Sequence, residues 1–253
     1  MPPNKIYQDI ERKAKAFRSK HNNNSSGSLH LESLLLQLNV IVSFRTMSEK
    51  LSGMAVLLRE ENEIYRFMLV NSEQNIGRQN FTICHELYHL FIQENFTFQY
   101  CNTGKFDEKK DIEEYKADLF ASYLLMPTEG IEELIPYKET ETDSISLSTI
   151  IKIEQYYQCS RLALLYRLKN LGYISQEKVE KHRLDVKKGA NQHGYNTHLY
   201  EKGREGLHIG DYGDISRLLF EQEIISEGHY AELMQTINID VFEEQMTKEE
   251  HGK

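Results

Sequence analysis

The feature that most limits what this chain can fold into is the run Phe81-Thr82-Ile83-Cys84-His85-Glu86-Leu87-Tyr88-His89-Leu90-Phe91. It is largely apolar, yet it spells His-Glu-x-x-His. On an α-helix, positions i and i+4 share one face, so His85 and His89 can address one ion from the same side. Phe81, Cys84, Leu87, Leu90 and Phe91 would bury the rest of the helix. Two imidazoles and a carboxylate inside an apolar helix are costly unless something satisfies them, and a divalent cation does. The plainer reading is a buried helix whose histidines are only hydrogen-bonded. The two readings part on whether the chain supplies a third ligand.

It does so downstream. Asp111 to Met126 has helical spacing, with Ile112, Tyr115, Leu119, Tyr123 and Met126 recurring every three or four residues and Pro127 as the stop. On it Glu114 and Asp118 are again i and i+4. His85, His89 and Glu114 then make a two-histidine, one-carboxylate ligand set that leaves a fourth position for water, as catalytic zinc sites do. Asp118 is spaced to accept the outer N–H of a ligand histidine. Glu86 is the expected general base. Tyr88 is a candidate oxyanion or substrate contact, alongside the later His193, His198 and His208. Zn2+ is the expected ion, although such nitrogen and oxygen ligands also accept Mn2+ or Fe2+. Without an ion, Glu114 would be a solvent-facing carboxylate beside Glu113.

Composition narrows the setting. The 253 residues carry a net charge of −9, which argues against general affinity for nucleic acid. Three cysteines, Cys84, Cys101 and Cys159, suggest reduced thiols, not a disulfide framework. Cys84 adjoins the histidines but sits on the apolar side, as a core residue would. No stretch approaches the ~20 apolar residues of a membrane span, and the first twenty residues lack a secretory core. The expectation is a cytoplasmic protein with no membrane partner.

Ahead of the histidine helix, Ile6 to Arg18 reads as an amphipathic helix with its lysines and arginines on a solvated face, and Asn22 to Ser28 as a loop. His30 to Leu38 reads as a second helix. Asn39 to Phe44, Met54 to Arg59 and Ile64 to Val70 read as strands. The last two flank Glu60 to Glu63 in the manner of a hairpin. A sheet of about three strands would thus lead into the helix near Arg78. An edge strand beside such a helix can capture an extended peptide. The fold class is α+β: a minimal zincin-like unit over 1–140, a helix-turn-helix-like segment over 141–183, and small helices with a charged tail over 184–253.

Arg78 through Leu90, together with Glu114-x-x-Ala117-Asp118-x-Phe120-Ala121-x-x-Leu124-Leu125-Met126-Pro127 and Leu51-Ser52-Gly53, resembles the ImmA/IrrE family of metallopeptidases. The resemblance covers roughly residues 5 to 180. It implies zinc held by His85, His89 and Glu114, with Glu86 as the catalytic carboxylate. It also implies a protein substrate, a helix-turn-helix transcriptional repressor, whose cleavage derepresses stress or mobile-element genes. One departure is Tyr88, where the family usually has Gly.

Between Ser146 and Arg183 there are seven Lys/Arg and three Asp/Glu, a local balance of +4 in an acidic chain. Direct DNA contact is one reading, and with it a DNA-binding regulator or toxin–antitoxin component that uses the zincin fold as scaffold or sensor. Packing on the protease or recognition of its substrate is the favoured one, because +4 is small beside the 6–10 phosphate contacts of a tight binder. Gly189 to Gly213 reads as an irregular unit able to lie over the cleft. Ile215 to Ile225 and His229 to Ile237 read as short helices, and Glu243 to Lys253 as a disordered tail.

Overall fold

The first helix, α1 (Pro3–His21), buries Ile10, Ala14 and Phe17, and a shorter α2 (Leu31–Gln37) buries Leu31, Leu34 and Leu35. The computed structural model describes residues 3–21, 25–60, 63–96, 98–101 and 112–241. Strands β1 (Val40–Arg45), β2 (Gly53–Glu60) and β3 (Glu63–Asn71) follow, then the histidine helix α3 (Ile76–Phe91). A fourth strand, β4 (Phe98–Cys101), precedes helix α4 (Ile112–Leu125), and α5 (Thr128–Leu134) follows Pro127. Helices α6 (Leu147–Tyr157), α7 (Arg161–Asn170), α8 (Gln176–His182) and α9 (Val186–Gln192) come next. A two-residue strand β5 (His208–Ile209) and helices α10 (Tyr212–Glu221) and α11 (Glu227–Thr236) complete the described chain.

The architecture is α+β with a small mixed sheet. Strand order is β4-β2-β3-β1-β5, with β1 parallel to β3 and every other pair antiparallel. The hairpin expected at Glu60 to Glu63 forms, with Gly53 opposite Val70 and Glu60 opposite Glu63. The sheet has two strands more than the three expected. Phe98–Cys101 was legible only as an aromatic patch, and a two-residue strand is too short to show a period. These extra strands take both edges, so none of the three expected strands is an outermost one. Val40, Val42, Phe44, Ala55, Leu57, Met68 and Val70 point to one face and are buried against the helices.

That face holds α3. Asn75 caps it, its side-chain oxygen accepting from the Arg78 amide at 2.9 Å. Phe17 of α1, Phe91 of α3 and Phe120 of α4 meet edge-on, Phe17 standing 5.8 Å from each partner's ring centre. Arg18 departs from the solvated face expected for the basic residues of α1. It is 1% exposed and donates to the carbonyls of Ser25 (2.9 Å), Gly27 and Leu124. It thereby ties the end of α1 to the end of α4. A helical stripe fixes which residues face inward only near its centre, and Arg18 lies at the last turn, where the chain folds back over it.

Ser146 and Ser160 cap α6 and α7, and Gln158 takes a left-handed conformation between them. This tight turn is seated on α3, because a Cβ on Gly77 would lie 2.7 Å from the Ser160 nitrogen. Glu154 and Arg161 pair inside, at 2.5 and 2.6 Å, and Tyr200 donates to Glu154 at 2.5 Å. Residues 189–213 do not lie as a flap. They supply β5 beside β1, and Leu199 and Tyr200 pack with Ile76 at the start of α3. The charged loop to Lys110 and the tail from Glu243 lie outside the described residues. Among the described residues no helix is long and apolar enough to cross a membrane.

Replacing Arg18 with Ala leaves buried carbonyls without their donor, and should cost roughly 2–4 kcal/mol of stability in a urea titration, without a change in slope.

Candidate metal centre

Three donor atoms converge between α3 and α4. His85 Nε2 lies 3.1 Å from His89 Nε2 and 3.4 Å from Glu114 Oε2, and His89 Nε2 lies 3.3 Å from Glu114 Oε1. Among the described residues, His85, His89 and Glu114 form the group of potential metal ligands whose atoms all lie within 4.8 Å of one another. Two atoms bound at 2.0–2.1 Å to a tetrahedral ion stand roughly 3.3 Å apart, so the triangle has the size of one tetrahedral face. The histidines are buried, while the Glu114 side chain keeps 23% exposure and marks the side open to solvent.

The outer nitrogens settle which way the rings face. His85 Nδ1 meets Asp118 Oδ1 at 2.9 Å, and His89 Nδ1 meets Gln93 Oε1 at 2.5 Å. Both partners are acceptors, so both Nδ1 atoms carry the proton and both Nε2 lone pairs turn toward Glu114. Converging lone pairs and a carboxylate repel unless a cation or proton sits among them. Burial would raise the Glu114 pKa, but a proton on the imidazole nitrogens that face it outweighs burial and holds the carboxyl well below its usual range, so positive charge at this point, proton or metal ion, keeps Glu114 ionised. The donor set and its spacing fit a divalent ion.

Glu86 is fully buried and lies against β2. Gly53 makes room for it, since a Cβ there would stand 2.8 Å from Glu86 Oε1 and 2.5 Å from Thr82 Cγ2. Cys84 is a core residue, as expected. Burial pushes its thiol up to about 12, against the pull of Arg18. Tyr88 faces α4. It is 2% exposed, and its hydroxyl donates to Glu113 at 2.7 Å. Burial and that carboxylate both raise its pKa, so it remains a donor. His193, His198 and His208 do not join the cluster. His193 bonds the Gly189 carbonyl, and His208 stacks on Tyr212 beside β1.

Two residues at the site were not read from the sequence. Gln93 stands four residues after His89, a spacing that carries the signal, but glutamine is so often a surface residue that the spacing goes unnoticed. Glu113 was legible only as Glu114's acidic neighbour.

The sequence model described as the IrrE N-terminal-like domain, of a peptidase family, matches residues 42–169, just over half of the chain. The chain belongs to that family. The IrrE N-terminal-like match runs from β1 into α7, so it takes in both helices of the centre and most of the α6–α7 pair. Metallopeptidase ImmA of Bacillus subtilis (strain 168) is 30% identical over 108 residues, which make up 42% of this chain and 59% of the relative. The chain therefore spans less than two thirds of that curated relative.

Asp118→Asn should weaken divalent-ion affinity about 10- to 100-fold in competition with a chromophoric chelator, because the amide can offer His85 an N–H where it now meets a carboxylate.

Proposed function

We propose that this chain is a metal-dependent endopeptidase, with His85, His89 and Glu114 holding Zn2+ and Glu86 acting as general base. The observation that carries the reading is the 3.1–3.4 Å triangle of donors, with both histidine tautomers set from behind. Membership of the IrrE N-terminal-like family and the name of the Bacillus relative support the same chemistry. When bound, the ion supplies Lewis-acid polarisation of the scissile carbonyl and an acidified water.

The chain's own residues do the rest. Asp118 and Gln93 hold the imidazoles in the tautomer that presents Nε2. Glu86, one residue after His85, takes the proton of the attacking water and delivers it to the leaving amine. Its burial beside Gly53 excludes bulk water and limits its rotation. An extended substrate would join the sheet at β4, the outermost strand on the side of β2, whose Gly53 lies against Glu86. The substrate class is a regulatory protein, a helix-turn-helix repressor whose loss derepresses stress or mobile-element genes. This rests on the family resemblance.

A DNA-binding regulator is the weaker reading. Two of the seven basic residues between Ser146 and Arg183 face inward: Arg161 pairs with Glu154, and Arg167 donates to Thr128 and to the Met126 carbonyl. They add nothing to a phosphate-binding surface.

The test uses purified protein and the helix-turn-helix repressor encoded nearest to it, with fragments read by mass spectrometry. Glu86→Gln should keep one bound ion per chain and lose cleavage by at least about 100-fold. Full activity in that variant overturns the assigned base. Gly53→Ala should keep the ion and lower kcat at least about tenfold, because the added methyl displaces the Glu86 carboxyl from its place beside β2.

A further inference from the structure

The two histidines come pre-spaced on one helix, but Glu114 comes from another, and something must fix α4 in register with α3. We infer that Tyr88 and Glu113 form a clasp that positions Glu114, making Tyr88 a positioning residue for the metal centre. The inference rests on the metal-dependent reading above.

The geometry is a pair of parallel strips on α4. Glu114 and Asp118, four residues apart, face His89 and His85. Glu113 and Phe120, seven apart, lie on the neighbouring strip and face Tyr88. The Tyr88 ring packs on Phe120, with ring centres 5.7 Å apart, and its hydroxyl reaches past it to Glu113 Oε2 at 2.7 Å. The other Glu113 oxygen accepts from Lys116 at 2.6 Å. The same ring stands edge-on to His89, 5.6 Å away at 81°. One side chain of α3 thus touches a ligand histidine and the residue preceding the ligand glutamate.

Consecutive helix residues point about 100° apart, so bonds at both 113 and 114 fix the rotation of α4 about its axis as well as its distance from α3. Glu114 and Asp118 hold α4 along one strip only, so without a second hold the helix could roll about that line and shift the carboxylate from the point where the donors meet. With Glu113 held as well, a roll breaks a part-buried hydrogen bond. The hydroxyl of Tyr88 is the part that matters here, since a phenylalanine would keep the packing on Phe120 and His89.

The experiment measures Zn2+ affinity of the full chain by chelator competition, and the melting temperature of metal-free protein. It uses wild type, Tyr88→Phe, Glu113→Ala and the double variant. Tyr88→Phe should bind Zn2+ about tenfold more weakly while metal-free protein melts close to wild type. In the Glu113→Ala background the same change should have no further effect, because the clasp is already open. Unchanged affinity in Tyr88→Phe overturns the clasp, and so does an additive loss in the double variant. A wild type that binds no divalent ion overturns the metal-dependent reading and the clasp together, whereas a wild type that binds it leaves the two separable.

Discussion

Everything at this centre depends on the packing of α4 across α3. A helix can supply two ligands to one ion by itself, because residues four apart share a face, but it cannot comfortably supply a third at the same point. The third donor has to arrive from elsewhere. Here it arrives from a helix whose buried face, through Phe120, Ala121, Leu124 and Leu125, is continuous with the core beneath α3. The point where the donors meet is therefore set by hydrophobic packing, and the donors themselves by two short spacings within that packing.

The rest of the molecule reads as support for that contact. The sheet backs α3 and uses glycine at residue 53, where a Cβ would collide with Glu86. Helix α1 fastens the far end of α4 through Arg18, whose burial away from water is offset by carbonyl acceptors. The α6–α7 turn sits on Gly77, and residues 199–204 brace the start of α3, with Gln79 donating to the Gly203 carbonyl at 2.9 Å. The C-terminal half thus bears on α3 from its N-terminal end, away from His85 and His89.

The two histidines have unlike outer partners. His85 leans on a carboxylate, His89 on a neutral amide. An anionic partner makes an imidazole a stronger electron-pair donor than a neutral one does, so the two histidines are not equivalent even though their spacing makes them look so.

The amino-acid sequence by itself determined which residues meet: His85 with His89, Glu114 with Asp118, the hairpin around residues 60–63 and the apolar faces of α3 and α4. All of these are encoded by short spacings of two, three or four, which the backbone geometry converts directly into shared faces. Only the tertiary structure decided that Phe98–Cys101 and His208–Ile209 take the sheet edges and that Arg18 turns inward. It likewise decided that Tyr88 reaches Glu113 and that residues 189–213 brace α3 instead of covering a cleft. Each of these depends on which distant segment lies alongside. That is settled by the total fit of packed surfaces and carries no local period a sequence could display.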